Sequence, residues 1–365
     1  MANMLDYIKW RGDLSFEVAP FNEVDNLILS ELAYLNFSGI VQEEVRRGIR
    51  LEKAVAMYFN EERNQSKNTG DLIIEAFFEM IRLMAKSPRY QKLKLKMYVE
   101  ALDLELEKQF GALTIDLGNR QLYIAYRGTD DTLVGWKEDF KMSVMKKVPS
   151  QEEALAYLEK VATRYRGYKF YLGGHSKGGN LAVFTAVNMA QCFKNRLIKV
   201  FNNDGPGFKE NILGTVAYQS VADRIVTLVP QSSIIGMLLE HEENYVVVQS
   251  TQKGILQHDG FSWEVCGPHF VHLKSITPES QMIDRTLKRF LNNLTLVERE
   301  AFTNALFEIL AANDKKTLTD VKEESWKTIM NMVKAYEGLE KESKKVLLDI
   351  IGRLLMEGIK SLLEN

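Results

Sequence analysis

The sequence predicts an α/β protein: a mainly parallel sheet with helices on both faces, extended by a helical region at either end. Three observations predict it. From about residue 91 the apolar pattern changes from helical spacing to short, near-continuous apolar runs alternating with helix-period segments, as expected of parallel strands covered on both faces. A glycine-rich segment, Gly173-Gly174-His175-Ser176-Lys177-Gly178-Gly179, joins one such run to a helix-period segment. The 365 residues, 45% of them hydrophobic and 26% charged, suffice for a substantial core. The division expected is a helical N-terminal region over 1–90, the sheet-bearing core over 91–278 and a helical C-terminal region over 279–365.

In order, apolar residues at helical spacing place helices in Val24–Tyr34, Val45–Tyr58 and Leu72–Met84. Strands follow at Leu93–Leu106, Ala112–Leu117 and Gln121–Tyr126, the last two joined by a hairpin turn at Gly118-Asn119-Arg120. Ser150-Gln151-Glu152-Glu153 has the form of a capping box opening a helix over Ala154–Tyr165. Lys169–Gly173 reads as a buried strand, Gly179–Phe193 as a helix and Leu197–Asn202 as a strand. A Gly- and Pro-rich turn at Asp204–Gly207 and strands at Arg224–Val229, Tyr245–Gln249 and Ser262–Val265 complete the core. A second capping box, Thr295-Leu296-Val297-Glu298, precedes amphipathic stretches near 299–312, 320–337 and 341–363. The stripe Leu347, Ile351, Leu354, Leu355 and Leu362 is read as packing on the protein's own core, with a lid or partner-binding helix as the alternative.

Lys and Arg number 47 against 49 Asp and Glu, a formal charge of −2, which argues against a nucleic-acid partner. Two cysteines, Cys192 and Cys266, read as reduced thiols. The first residues have neither the basic start nor the apolar stretch of a signal peptide, and the apolar C-terminal stretch is broken by Asp349, Arg353, Glu357 and Lys360. A cytoplasmic protein without membrane spans is expected. No metal-ligand spacing is present, so neither metal nor cofactor is expected, and a phosphate-binding loop is not matched.

Gly174-His175-Ser176-Lys177-Gly178 is a G-x-S-x-G sequence between a predicted strand and a predicted helix. A serine on such a strained turn projects its hydroxyl above the sheet edge, and glycines two residues before and after it, Gly174 and Gly178, avoid collision around the turn. The bland reading of the same residues is a tight strand-to-helix turn. Upstream, Tyr126-Arg127-Gly128-Thr129 ends a strand and Trp136-Lys137-Glu138-Asp139 follows. Together these motifs resemble the class 3 lipases, an α/β-hydrolase family, over about residues 95–270. The nearest likeness is to bacterial lipase-like proteins known only as a domain of unknown function. The resemblance implies an α/β-hydrolase-like core in which the backbone N–H groups of Thr129 and Lys177 form the oxyanion hole. The Thr129 hydroxyl is a candidate additional donor, and Trp136 and Asp139 are read as supporting the oxyanion turn.

A serine nucleophile needs a base. His241, His258, His269 and His272 follow Ser176, in the order this fold uses; His175 points away and is read as structural. His258 is favoured for its polar loop between two predicted strands, with His269 and His272 next. The acid is where the pattern departs from the family. The strand Arg224–Val229 is followed by Pro230-Gln231-Ser232-Ser233, without a carboxylate. Asp204, Glu240 and Glu242 are the substitutes, or a hydroxyl of Ser232 or Ser233. The expectation is a serine hydrolase of carboxylic esters acting on a small ester or lipid. The alternative is a weak or inactive protein of the same fold that serves as a binding or scaffold module.

Overall fold

Runs such as Gln121-Leu122-Tyr123-Ile124-Ala125-Tyr126, buried at five of six positions, align as strands of one sheet. The computed structural model describes residues 1–43, 47–60, 72–129, 133–142, 147–208, 210–233, 236, 245–278, 280–282, 286, 293–311, 344 and 348. Its strands are β1 (Ile49–Arg50), β2 (Lys94–Asp103), β3 (Lys108–Gly118), β4 (Gln121–Tyr126), β5 (Lys169–His175), β6 (Leu197–Asn203), β7 (Ile225–Pro230), β8 (Tyr245–Val248), β9 (Val265–Cys266), β10 (His269–Phe270) and β11 (His272–Leu273). Across the main sheet the order is β1-β2-β3-β4-β5-β6-β7-β8-β11, while β9 and β10 form a separate ribbon. Strands β4 to β8 run parallel; β3 is antiparallel to β4, and β11 to β8. The sheet is the mainly parallel one expected.

The helices of one turn or less aside, α1 spans Met4–Arg11, α2 Glu23–Leu32, α3 Leu51–Asn60, α4 Leu72–Lys86, α5 Leu133–Met142, α6 Pro149–Arg164, α7 Lys177–Asn188 and α8 Leu296–Ala311. None in the described residues is long and apolar enough to cross a membrane. Cys192 and Cys266 are unbonded and exposed. The chain forms two compact units, one of Met1–Ala101, Phe110–Gly128 and Glu153–Thr277, the other of Leu102–Gln109, Thr129–Glu152 and Pro278–Asn365.

In the first unit, residues of α1 to α4 share one hydrophobic cluster with Leu113, Ile115, Tyr123, Ala125 and Phe201 of the sheet. Leu122, Ile124 and Leu172, equally buried, lie outside that cluster, as period-2 alternation requires of residues on the other face. Helix α7 packs on β4, β5 and β6. The hairpin between β3 and β4 closes through Asn119 and Arg120, both at positive φ (48° and 56°), the conformation that matches the twist of a two-residue turn.

Helix α2 is buried along its whole length from Val24 to Leu32. Its polar residues therefore need partners inside the protein. Asp25 accepts from the Asn22 N–H in a capping box, from Arg89 Nε and Nη2 at 2.7 and 2.5 Å, and from the Tyr90 hydroxyl at 2.6 Å. Asn26, Ser30 and Glu31 turn toward the ends of the central strands.

The second unit has its own polar core. Buried Glu138 accepts from the Gln109 and Ser150 N–H groups at 3.1 and 2.9 Å, and α8 packs on α5. The Thr295–Glu298 capping box forms as expected, with both reciprocal bonds.

Two expectations need correction. Ser150–Glu153 is not a capping box: Pro149 takes the first helical position, which tolerates a missing N–H, and the Ser150 N–H is held by Glu138. The strand expected at Ser262–Val265 is displaced: Gly260–Ser262 winds into a 3₁₀ turn capped by Asp259, and strand β9 begins only at Val265. Helix α1, capped by Asn3, falls in the helical N-terminal region but is not among the helices that the sequence pattern places individually. The stretches 320–337 and 341–363, with Leu347, Ile351, Leu354, Leu355 and Leu362, fall outside the described residues apart from 344 and 348.

The Arg89–Asp25 pair has no solvent exposure on either side chain. Removing one partner of such a pair strands the other charge, at a cost of about 3–5 kcal/mol, whereas an exposed pair contributes less than about 1 kcal/mol. Urea unfolding is therefore expected to show a large loss of stability for Arg89→Met and almost none for Lys9→Met, which breaks the half-exposed Lys9–Glu79 pair.

Candidate active site

Residues His175 of β5 and Asn203 of β6 are register partners, so the residues that follow them, Ser176 and Asp204, leave the sheet side by side. Ser176 sits at φ 56°, ψ −132°, and its N–H donates to Asn203 O at 2.9 Å. An ordinary helix-capping serine has extended backbone and bonds an amide of the first turn. Ser176 does neither: it precedes α7 with its side chain making no capping bond. A positive φ at a non-glycine residue costs about 1–3 kcal/mol and persists only where the surroundings impose it.

The surroundings here are backbone. A Cβ on Gly174 would lie 2.3 Å from Gly178 C and 2.5 Å from Tyr126 O; one on Gly178 would lie 2.1 Å from Tyr126 O. A Cβ on Gly128 would meet His175 O at 2.5 Å and Ser176 Cβ at 3.3 Å, and one on Gly205 would meet Ser176 O at 2.3 Å. The Arg127-Gly128 turn and the Gly205 turn thus both press on the turn at Ser176.

Asp204 is also at positive φ (51°), and its N–H donates to Leu228 O at 2.8 Å. Its carboxylate is 1% exposed. Oδ2 lies 2.6 Å from His258 Nδ1, and Oδ1 accepts from the Ser233 hydroxyl at 2.5 Å. A neutral imidazole that donates from Nδ1 keeps its lone pair at Nε2, the tautomer a general base requires. His258 closes the 3₁₀ segment Gly254–His258 and is 24% exposed. Its ring stacks on that of His175, the residue before the serine, with centroids 4.6 Å apart. Among the described residues no hydrogen bond joins Ser176 Oγ to this imidazole; such contacts often tighten only when substrate is bound.

His175 is buried, and its Nε2 lies 2.8 Å from the His258 carbonyl oxygen. Burial, with the charge of His258 adding to it, lowers its pKa to about 3. Glu31 of α2 lies on the other side of the ring, Oε1 at 3.3 Å from Nδ1, and burial, reinforced by Asp259, raises its carboxyl to about 8. Both groups are neutral at neutral pH.

The other expected residues divide. Lys177 opens α7, where the first-turn N–H groups and the helix dipole favour negative charge. Thr129 belongs to the second unit, and its hydroxyl donates to Asp139 Oδ2 at 2.5 Å. That hydroxyl is committed to a carboxylate. Trp136 lies on the same helix, α5, as Asp139. His269 and His272 face Glu23 Oε1 at 3.8 and 2.8 Å. Ser232 bonds Gln257 through its N–H and Thr277 through its hydroxyl. His241, Glu240 and Glu242 lie outside the described residues.

A family model described as Mbeg1-like matches residues 84–308. The chain belongs to the Mbeg1-like family. No curated protein matches it. Among solved structures, the Mbeg1-like chain is similar to a Rhizomucor miehei lipase propeptide complex at 16% identity. That match covers 48% of this chain and 72% of the other, with a TM-score of 0.36. It is also similar to the Lip2 lipase of Yarrowia lipolytica at 12% identity, covering 52% and 76% with a TM-score of 0.33. The third is lipase II from Rhizopus niveus, at 11% identity, covering 60% and 83% with a TM-score of 0.34.

The carboxylate on the histidine of this Mbeg1-like protein stands one strand earlier than expected, after β6 and not after β7. The signal for it was present: Asp204 directly follows the apolar run Val200-Phe201 and its two asparagines, and opens Gly205-Pro206-Gly207, a turn that must tolerate crowding. Glu31 had no comparable signal beyond being an acid inside the apolar helix Leu27-Ile28-Leu29-Ser30-Glu31-Leu32.

Because the obstacle at Gly178 is main chain, Gly178→Ala is expected to cost about 1–3 kcal/mol or more. Gly214→Ala, with open space around it, is expected to stay within about 0.5 kcal/mol of the parent. Thermal melts of the two variants read the difference.

Proposed function

We propose that this protein is a serine hydrolase of carboxylic esters that works through an acyl-enzyme. The observation that carries the proposal is the 2.6 Å contact between buried Asp204 and His258 Nδ1, made on the turn next to the strained Ser176. In this reading Ser176 Oγ attacks the ester carbonyl carbon while its proton passes to His258 Nε2. The negative charge on the carbonyl oxygen is met by the Lys177 N–H at the start of α7, a type of donor worth about 3–4 kcal/mol of barrier. Collapse of the tetrahedral intermediate breaks the carbon–alkoxide bond, and His258 returns the proton to the departing alcohol. Water then repeats the sequence on the acyl-enzyme, releasing the carboxylic acid and regenerating the serine hydroxyl. Asp204 holds the imidazole in the right tautomer and stabilises the imidazolium as it forms; Ser233 and the Leu228 carbonyl fix Asp204 in turn.

Support for an ester or lipid substrate class comes from the motif resemblance carried by Tyr126-Arg127-Gly128-Thr129, Trp136–Asp139 and the Gly174–Gly178 segment. The binding-module alternative is argued from the lack of a carboxylate after Val229; the Asp204–His258 contact favours the hydrolase instead.

Hydrolysis of a panel of p-nitrophenyl esters of increasing chain length tests the proposal. At least one ester is expected to be cleaved by the wild type. Ser176→Ala and His258→Ala should fall to background, and Asp204→Asn should lose about 10⁴-fold in kcat with little change in KM. Turnover that survives Ser176→Ala, or a folded wild type inert to every ester, would overturn it.

A further inference from the structure

Glu31 has a place in this site that its position in the sequence does not suggest, since it lies outside the stretch 84–308 that carries the family match. The carboxyl is buried in the first unit, and Oε1 has no hydrogen-bond partner of ordinary geometry among the described residues. The group it faces is His175 Nδ1, at 3.3 Å. Proton counting fixes what passes between them. The His258 carbonyl oxygen can only accept, so His175 Nε2, 2.8 Å away, carries the proton. A neutral imidazole has one such proton, which leaves Nδ1 a lone pair. For Glu31 to satisfy that lone pair it must be the acid, with its O–H donating.

The result is a directed chain from Glu31 O–H to His175 Nδ1, and from His175 Nε2–H to the His258 carbonyl. The rings of His175 and His258 stack along it. We propose that Glu31 is a positioning residue for the general base: as a protonated acid it sets the tautomer of His175, which anchors the backbone of His258 and stacks against its ring. This rests on the ester-hydrolase reading only in making His258 the base; the tautomer of His175 stands without it.

The arrangement is sensitive to pH. Around Glu31 stand His175 of β5 and Tyr123 of β4, whose hydroxyl burial holds neutral, with His258 and Asp259 on the loop before Gly260 and Tyr34 just beyond α2, its ring 6.5 Å from that of His175. None of these supplies a cation when His175 and His258 are neutral, which is why burial raises the Glu31 carboxyl to about 8. Below that value Glu31 donates. Above it the carboxylate draws the His175 proton to Nδ1, because burial keeps His175 from becoming doubly protonated. Nε2 then presents a lone pair to the His258 carbonyl, two acceptors face each other, and the anchor of the base is lost.

The test uses the full chain, labelled with ¹⁵N-histidine, and the best ester from the panel, between pH 6 and 9.5. In the wild type, two-bond ¹H–¹⁵N spectra should show His175 with its proton on Nε2 at pH 6.5 and a change of tautomer through about pH 8. Over the same interval kcat should fall about tenfold, the size of effect typical of a group that orients a catalytic residue, with KM nearly constant. Glu31→Gln, whose amide donates at every pH, should keep the Nε2–H tautomer and match the wild-type rate at pH 6.5 without that alkaline loss. Glu31→Leu should be about tenfold slower in kcat throughout. A wild-type tautomer that stays fixed to pH 9.5, or Glu31→Gln profiles that superimpose on the wild type, would overturn the proposal. If the tautomer changes as described but no ester is cleaved by the wild type, the hydrolase reading fails and with it the role of Glu31 toward a base.

Discussion

The backbone of Ser176 is the constraint on which the rest of the site depends. A positive φ at a serine has no local compensation here, since the hydroxyl does not cap the helix it precedes. It is held because β4, β5 and β6 close around it: Gly174, Gly178, Gly128 and Gly205 each bring main chain to a distance no Cβ would permit. The cost is met by the burial of three central strands against helices on both faces. What the constraint achieves is an oxygen released from helix capping at the carboxyl edge of the sheet, beside the residue that leaves the neighbouring strand.

That neighbour, Asp204, repeats the pattern at smaller scale. It leaves β6 at positive φ with its N–H on Leu228, so both carboxylate oxygens are turned toward His258 and Ser233. A Cβ on Gly236 would lie 2.2 Å from Oδ1, so the main chain at Gly236 comes close to the acid. Beneath lies α2, whose buried polar residues are distributed along the strand ends. Asn26 donates to Asn203 at 2.7 Å, Ser30 shares a hydrogen bond with Tyr123 at 2.7 Å, and Glu31 faces His175. Asn203 in turn donates to Gly174 O at 2.9 Å. A polar network of this kind is costly to leave half satisfied, and it ties the N-terminal helices to the residues immediately before Ser176 and Asp204.

Features carried by local pattern were legible in the sequence. The apolar runs gave the parallel strands at Gln121–Tyr126, Lys169–Gly173 and Leu197–Asn202 to within a residue or two, and the hairpin at Asn119-Arg120 followed from turn chemistry. The glycine spacing around Ser176 told of the elbow because the requirement lies in the main chain, where a side chain cannot fit. Features carried by register were not legible. Asp204 stands beside Ser176 because β5 and β6 pair His175 with Asn203, and no spacing in the sequence encodes that pairing. The same holds for Ser150, whose N–H goes to Glu138 twelve residues earlier and not to a cap three residues later. Glu31 is the extreme case: an acid in an apolar helix reads as a surface position until the fold turns it toward the ring of His175.

The central claim, that Ser176 is a nucleophile driven by the His258–Asp204 pair, is tested most directly by covalent modification. The folded protein is treated with a fluorophosphonate, digested, and the modified peptide located by mass spectrometry. The phosphonyl group is expected on Ser176 alone, with the rate of labelling strongly reduced in Asp204→Asn and His258→Ala. Labelling on another residue, or labelling of Ser176 at equal rates in all three proteins, would contradict it.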